Sequence, residues 1–121
     1  MSLKTPHLYE FKEFILDTSE RQLWRGDESV QMPLKAIETL CLLVENHGKL
    51  LSKDVLMETL WKDTFVEERN LAQNIFTLRK KLGEDNNGRK FIETVPKLGY
   101  RFVADVRVSE ATLEEVEVSL E

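Results

Sequence analysis

Cysteine is all but absent from this sequence: Cys41 stands alone among 121 residues. A disulfide framework is therefore excluded, and a reducing cytoplasm suits the chain. Histidine is as scarce. His7 and His47 have no partners at metal-binding spacing, and one cysteine leaves no zinc pattern, so no metal is expected. No apolar run approaches the roughly 18 to 20 residues of a membrane span, and no signal-peptide core opens the chain, so no membrane segment is expected. Also missing are a glycine-rich phosphate loop, a nucleophile elbow and any Ser/His/Asp set. The Glu67-Glu68 pair suits a helix start better than acid–base work. Catalytic residues and cofactors are expected to be none, and the chain is not read as an enzyme. Internal repeats and low-complexity tracts are absent too, and the length leaves room for one domain and one apolar core.

What is present is a segregation of charge. The net charge of −5 argues against a polyanion as partner until it is divided along the chain. Residues 1–68 carry 8 basic and 13 acidic side chains, residues 69–107 carry 9 basic and 4 acidic, and residues 108–121 carry 5 glutamates and no base. Attraction to phosphate depends on local clustering rather than on the whole-chain sum. The basic third includes Arg69, Arg79, Lys80, Lys81, Arg89, Lys90, Lys97 and Arg101.

Short apolar bursts and polar turns from Leu8 to Met32 predict three or four brief antiparallel strands. Pro33 sets the start of a first helix over about Leu34 to Asn46, buried through Ile37, Leu40, Cys41 and Val44 and stopped by Gly48. Ser52 caps a second helix with Val55, Leu56, Leu60 and Trp61 at helical spacing. Trp24 and Trp61 are expected in the core. Two helices joined by a short turn through His47-Gly48-Lys49, then a third, make a helix-turn-helix arrangement.

The third helix is expected over Glu68 to Leu82. At 100° per residue Leu71, Ile75, Leu78 and Leu82 form one buried stripe. Opposite lie Arg69, Gln73, Phe76, Thr77 and Lys80, with Asn70, Asn74 and Lys81 on one flank and Arg79 on the other. Amides, a hydroxyl and bases are groups able to address base edges and phosphates. Beyond a polar turn at Glu84 to Gly88, strands Phe91–Val95 and Tyr100–Ala104 form a hairpin across Pro96-Lys97-Leu98-Gly99, where Gly99 permits a positive φ. From Ser109 the chain is acidic and reads as a linker.

From Phe65 to Phe102 the sequence resembles the OmpR/PhoB-type winged helix-turn-helix family of bacterial transcription regulators. The matching runs are Val66-Glu67-Glu68-Arg69, Ile75, Leu78-Arg79-Lys80-Lys81-Leu82-Gly83, and Thr94-Val95 through Gly99-Tyr100-Arg101-Phe102. The likeness reaches back through Trp61 and Ser52-Lys53 to the N-terminal strands. It implies an α+β fold over residues 8–106, with a short N-terminal antiparallel sheet, three helices and a C-terminal hairpin wing over 91–104, followed by an acidic tail or linker over 107–121. The implied function is sequence-specific binding of double-stranded DNA in bacterial transcription regulation, with the helix over about 68–82 in the major groove and the wing on the adjacent backbone or minor groove.

Carried over by position, the resemblance implies base contacts from Gln73, Asn74, Phe76 and Thr77, and phosphate contacts from Arg69, Arg79, Lys80 and Tyr100. It places Lys97 and Arg101 on the wing and Lys62, Asp63, Thr64 and Phe65 in a loop facing RNA polymerase. Gln or Asn can pair bidentately with adenine, and the Thr methyl can meet a thymine methyl. Phe76 stands where a basic residue is common, and is open to three roles: packing on a thymine methyl, covering the wing, or meeting a partner. Pro96 stands where a wing arginine is common, with Lys97 beside it as a substitute. A second copy on repeated half-sites and a cytoplasmic location complete the expectation. The start near Leu8 and the run past Arg107 favour a one-component regulator with this domain first over a receiver-led one. The alternative function is a winged-helix protein-interaction module using the same helix face.

Overall fold

A computed structural model describes residues 8–83 and 91–108. They fall into two compact units, one made of residues up to Val30 together with those from Asp105 on, the other of Gln31–Ala104.

The first unit is a five-stranded antiparallel sheet of order β4-β3-β2-β1-β8, built from β1 (Leu8–Phe11), β2 (Phe14–Asp17), β3 (Gln22–Arg25), β4 (Glu28–Val30) and β8 (Arg107–Val108). Strict alternation buries Phe14, Leu16 and Leu23 and turns Ile15 and Trp24, cross-strand neighbours, to the exposed face. Trp24 is thus not a core residue, as its composition alone suggests; its even-numbered place on β3 decides its side. The β2–β3 turn is tied by Asp17, whose Oδ1 accepts from the Ser19 and Glu20 amides at 3.0 and 3.1 Å, an Asx-type turn. Arg107 and Val108 do not begin the tail. They pair with Glu10 and Tyr9, and Arg107 Nη2 meets Glu10 Oε1 at 2.7 Å.

The second unit holds α1 (Leu34–Glu45), β5 (Leu50–Ser52), α2 (Lys53–Leu60), α3 (Glu68–Leu82), β6 (Ile92–Val95) and β7 (Gly99–Phe102). The three helices pack on one another around Ala36, Leu40, Leu43, Val44, Leu56, Leu71, Ile75 and Leu78, all buried. Ser52 Oγ accepts the Val55 amide at 3.1 Å and caps α2. Cys41 is buried in the core as a small apolar group.

Two local features depart from the sequence reading. The turn between α1 and α2 contains a strand, β5, which pairs antiparallel with β7 and makes the hairpin a three-stranded sheet of order β5-β7-β6. The positive φ of the hairpin turn belongs to Lys97 (68°), following Pro96 in a turn closed by Leu98 N–H to Val95 O at 3.0 Å, the arrangement of a type II turn. Gly99 is needed for another reason: a Cβ there would lie 2.0 Å from the Leu51 carbonyl oxygen. The Glu84 to Gly88 turn, Arg89, Lys90 and the segment from Ser109 lie outside the described residues.

Candidate nucleic-acid interface

Helix α3 runs from Glu68 to Leu82 with Leu71, Ile75, Leu78 and Leu82 buried, as its periodicity requires. Its first turn is fastened to the first turn of α2, where Lys53 Nζ donates to Glu68 Oε2 at 2.7 Å. That hydrogen bond, reinforced by the carboxylate charge, holds the Lys53 ammonium protonated beyond lysine's ordinary 10.5. Because the folded pKa is raised, the stability the pair contributes is fully present below about that value and is lost as pH climbs past it. The stability difference between wild type and Lys53→Met is therefore expected to stay constant across neutral pH and to shrink above 10.5, as urea titrations at a series of pH values would show.

The middle of α3 is fixed to α1. Asn74 Nδ2 donates to Thr39 Oγ1 at 3.1 Å and approaches the Lys35 carbonyl at 3.4 Å, while Thr39, fully buried, donates to that same carbonyl at 2.7 Å. Near the C-terminal end, Arg79 reaches into the hairpin, with Nη2 2.8 Å from the Ile92 carbonyl and 2.7 Å from Thr94 Oγ1. Asn74 and Arg79, expected from the sequence to touch bases and phosphate, have side chains that hold α3 against its neighbours. Tyr100, also expected at a phosphate, is only 8% exposed in the middle of the wing sheet, opposite Leu51 and Thr94.

The remaining candidates lie outward. Gln73 and Phe76 are exposed and Thr77 is half-buried. Lys80 is exposed with its Nζ 5.6 Å from the centre of the Phe76 ring. Arg69 is exposed and paired with Glu67 at 2.6 Å. On the wing, Lys97 is exposed at the tip, and Arg101 Nη1 lies 3.4 Å from Glu93 Oε1 across the strands. The Arg101 Nε is buried with no protein partner among the described residues. Bases on both sides of a face of amide, hydroxyl and ring suit a polyanion carrying readable edges.

The loop between α2 and α3 differs in character. Asp63 has a φ of 65°, Phe65 is 92% exposed, and Lys62 and Thr64 are exposed as well. Behind it opens a cleft of about 610 Å³ lined by Met57, Trp61, Phe65 and Val66 with Asp54 and Glu58 at the side. Trp61 lines this cleft instead of filling the core, and Val55 is half exposed. An acidic and apolar cleft repels phosphate.

The family model described as "Transcriptional regulatory protein, C terminal" matches residues 27–102, which include α1, α2, α3 and the β6–β7 hairpin. The chain belongs to this family, the OmpR/PhoB-type effector domains of transcription regulators. It is 38% identical over 94 residues to the transcriptional regulator HilA of Salmonella typhi, a match covering 78% of this chain and 17% of HilA. To the transcriptional activator CadC of Escherichia coli it is 31% identical over 95 residues, covering 78% and 19%. The chain thus spans less than a fifth of the length of these relatives. The solved DNA-binding domain of E. coli CadC superposes with a TM-score of 0.74 at 28% identity, covering 88% of this chain and 99% of that one. The DNA-binding domain of Klebsiella pneumoniae RstA, solved in complex with the RstA box, gives 0.68 at 28% identity, covering 78% and 95%. The fold is the α+β winged helix-turn-helix that the motifs imply.

Proposed function

We propose that this OmpR/PhoB-type domain binds double-stranded DNA sequence-specifically in transcription regulation, with α3 in the major groove and the β6–β7 hairpin on the adjacent backbone or minor groove. The outward face of α3 carries this reading. Gln73, Phe76 and Thr77 address bases, and Arg69 and Lys80 address phosphates from the two ends of the helix. Lys97 and Arg101 do so from the wing, which Arg79 ties to α3. In this assignment Asn74 and Arg79 act as positioning residues, and only the hydroxyl of Tyr100 is suited to a phosphate. That the RstA DNA-binding domain, of the same fold, is solved in complex with the RstA box supports DNA as the ligand. The chain acts by binding and performs no catalysis. A second copy on a repeated half-site compensates for the modest area one module buries. The loop Lys62 to Phe65, beside an acidic and apolar cleft, is assigned to a protein partner such as RNA polymerase. Residues 8–106 together with the paired strand Arg107–Val108 form the functional core, with the acidic segment beyond Val108 a tail, and the setting is the cytoplasm.

Selection of genomic fragments, then fluorescence anisotropy on the enriched duplex across a salt series, tests this. A shared motif with a steep negative salt slope is expected. Lys97→Gly should weaken all duplexes alike and flatten the slope by about 1, whereas Gln73→Ala should cost about 1–3 kcal/mol at one base position. Lys97→Gly is a clean charge deletion, because glycine accepts the positive φ that lysine adopts there. Flat, weak binding at low salt would favour the second reading, a helix face that grips protein, which the exposed ring of Phe76 suggests.

A further inference from the structure

We propose that Phe76 is a specificity-determining residue that reads the 5-methyl group of thymine, with Lys80 holding its ring in position. The proposal rests on the DNA-binding reading of α3 and names what one part of that face recognises. Phe76 is 57% exposed on the side of α3 turned away from the buried stripe. A ring this exposed does not fill the core. Phenylalanine has no donor or acceptor, so it addresses neither the hydrogen-bonding edges of bases nor phosphate oxygens. At base-pair level the major groove offers one apolar group, the C5 methyl of thymine.

The neighbouring charge makes that contact geometrically defined. Lys80 lies one turn beyond Phe76, and its ammonium stands 5.6 Å from the ring centre, within cation–π range. It covers one face of the ring and narrows the rotamers open to it. More than half of the residue's surface remains open to the groove, and the three donors of the ammonium remain for a phosphate oxygen. One residue thus discriminates between bases while its neighbour anchors to the backbone. Thr77 also carries a methyl group, but it is half-buried where Phe76 is exposed.

The test replaces each thymine of the selected duplex in turn by deoxyuridine, which removes the methyl and nothing else. Wild-type protein is expected to lose about fourfold in affinity at one thymine in each half-site, the effect of one buried methyl. Phe76→Ala, checked for native helix content by circular dichroism, is expected to bind the thymine and uracil duplexes equally. If wild type tolerates every deoxyuridine while Gln73→Ala alters base preference, the proposal is overturned and the DNA reading stands. If the penalty persists in Phe76→Ala, another group such as Thr77 reads the methyl, and the proposal again fails. If no duplex is enriched and binding ignores salt, the DNA reading itself fails, and capture of a polypeptide through Phe76 takes its place.

Discussion

Replacing Gly99 with alanine is expected to lower stability by about 3 kcal/mol or more, in the range of the severe single substitutions. For a domain of this size that is a fall in Tm of more than about 10 °C. The added Cβ would lie 2.0 Å from the Leu51 carbonyl oxygen and 2.9 Å from the Leu51 carbonyl carbon and the Ser52 Cα. All three are backbone atoms, so no side chain can rotate aside. Strand β5 must then leave β7, taking with it the pairing of Ser52 with Gly99. The bond from the Lys53 amide to the Leu98 carbonyl at 3.1 Å lies next to that clash and also breaks. Because Ser52 caps α2, the damage passes from the wing into the helix-turn-helix. Thermal melts followed by circular dichroism would show it, and a Tm within about 3 °C of wild type would mean that the two strands part without cost.

The second large effect is expected at Arg79. Its guanidinium joins α3 to β6 through the Ile92 carbonyl and Thr94 Oγ1, and hydrogen bonds from a charged donor are worth about 1.5–3 kcal/mol net. Arg79→Met should cost about 2–3 kcal/mol of stability and, by loosening the wing from the helix, tenfold or more in affinity for the selected duplex. Arg79→Lys separates the two roles. A lysine keeps the charge but lacks the planar fork that reaches two acceptors at once. If Arg79 positions the wing, lysine should fare nearly as badly as methionine in both stability and affinity. If it serves a phosphate directly, lysine should retain most of the affinity and the salt slope.

The helical part of the fold was legible because its signals are local. Ser52 announces α2, and the spacing of Leu71, Ile75, Leu78 and Leu82 fixes both the extent of α3 and its inward side. Strand β5 was not legible: three residues, Leu50 to Ser52, show no alternation long enough to read, and their strand character comes from pairing with β7 fifty residues on. The bulk of Trp24 suggests burial, but its register on β3 sends it outward. The candidate site divides along the same line. At 100° per residue, Asn74 and Arg79 sit about 70° to either side of the middle of the buried stripe, while Gln73 and Lys80 lie almost opposite it. A flank position on a packed helix faces its neighbours as much as solvent. The angles hold this signal, but position within the family pattern, together with an amide and a guanidinium suited to DNA, assigns both side chains to the nucleic acid. Only the partners supplied by Thr39 on α1 and Ile92 on β6 identify them as braces, and no sequence spacing foretells those contacts.

Strand β8 has a mechanical consequence. Val108 lies beside Tyr9 and Arg107 beside Glu10, so the segments leaving the sheet before Leu8 and after Val108 depart from neighbouring points. Tension between those segments would peel β8 from β1 end-on, one ladder pair at a time, rather than shear both pairs together. The two-rung ladder and its Arg107–Glu10 clasp act as a weak link that opens at low force, while the three hairpin connections from β1 to β4 lie outside the loaded path.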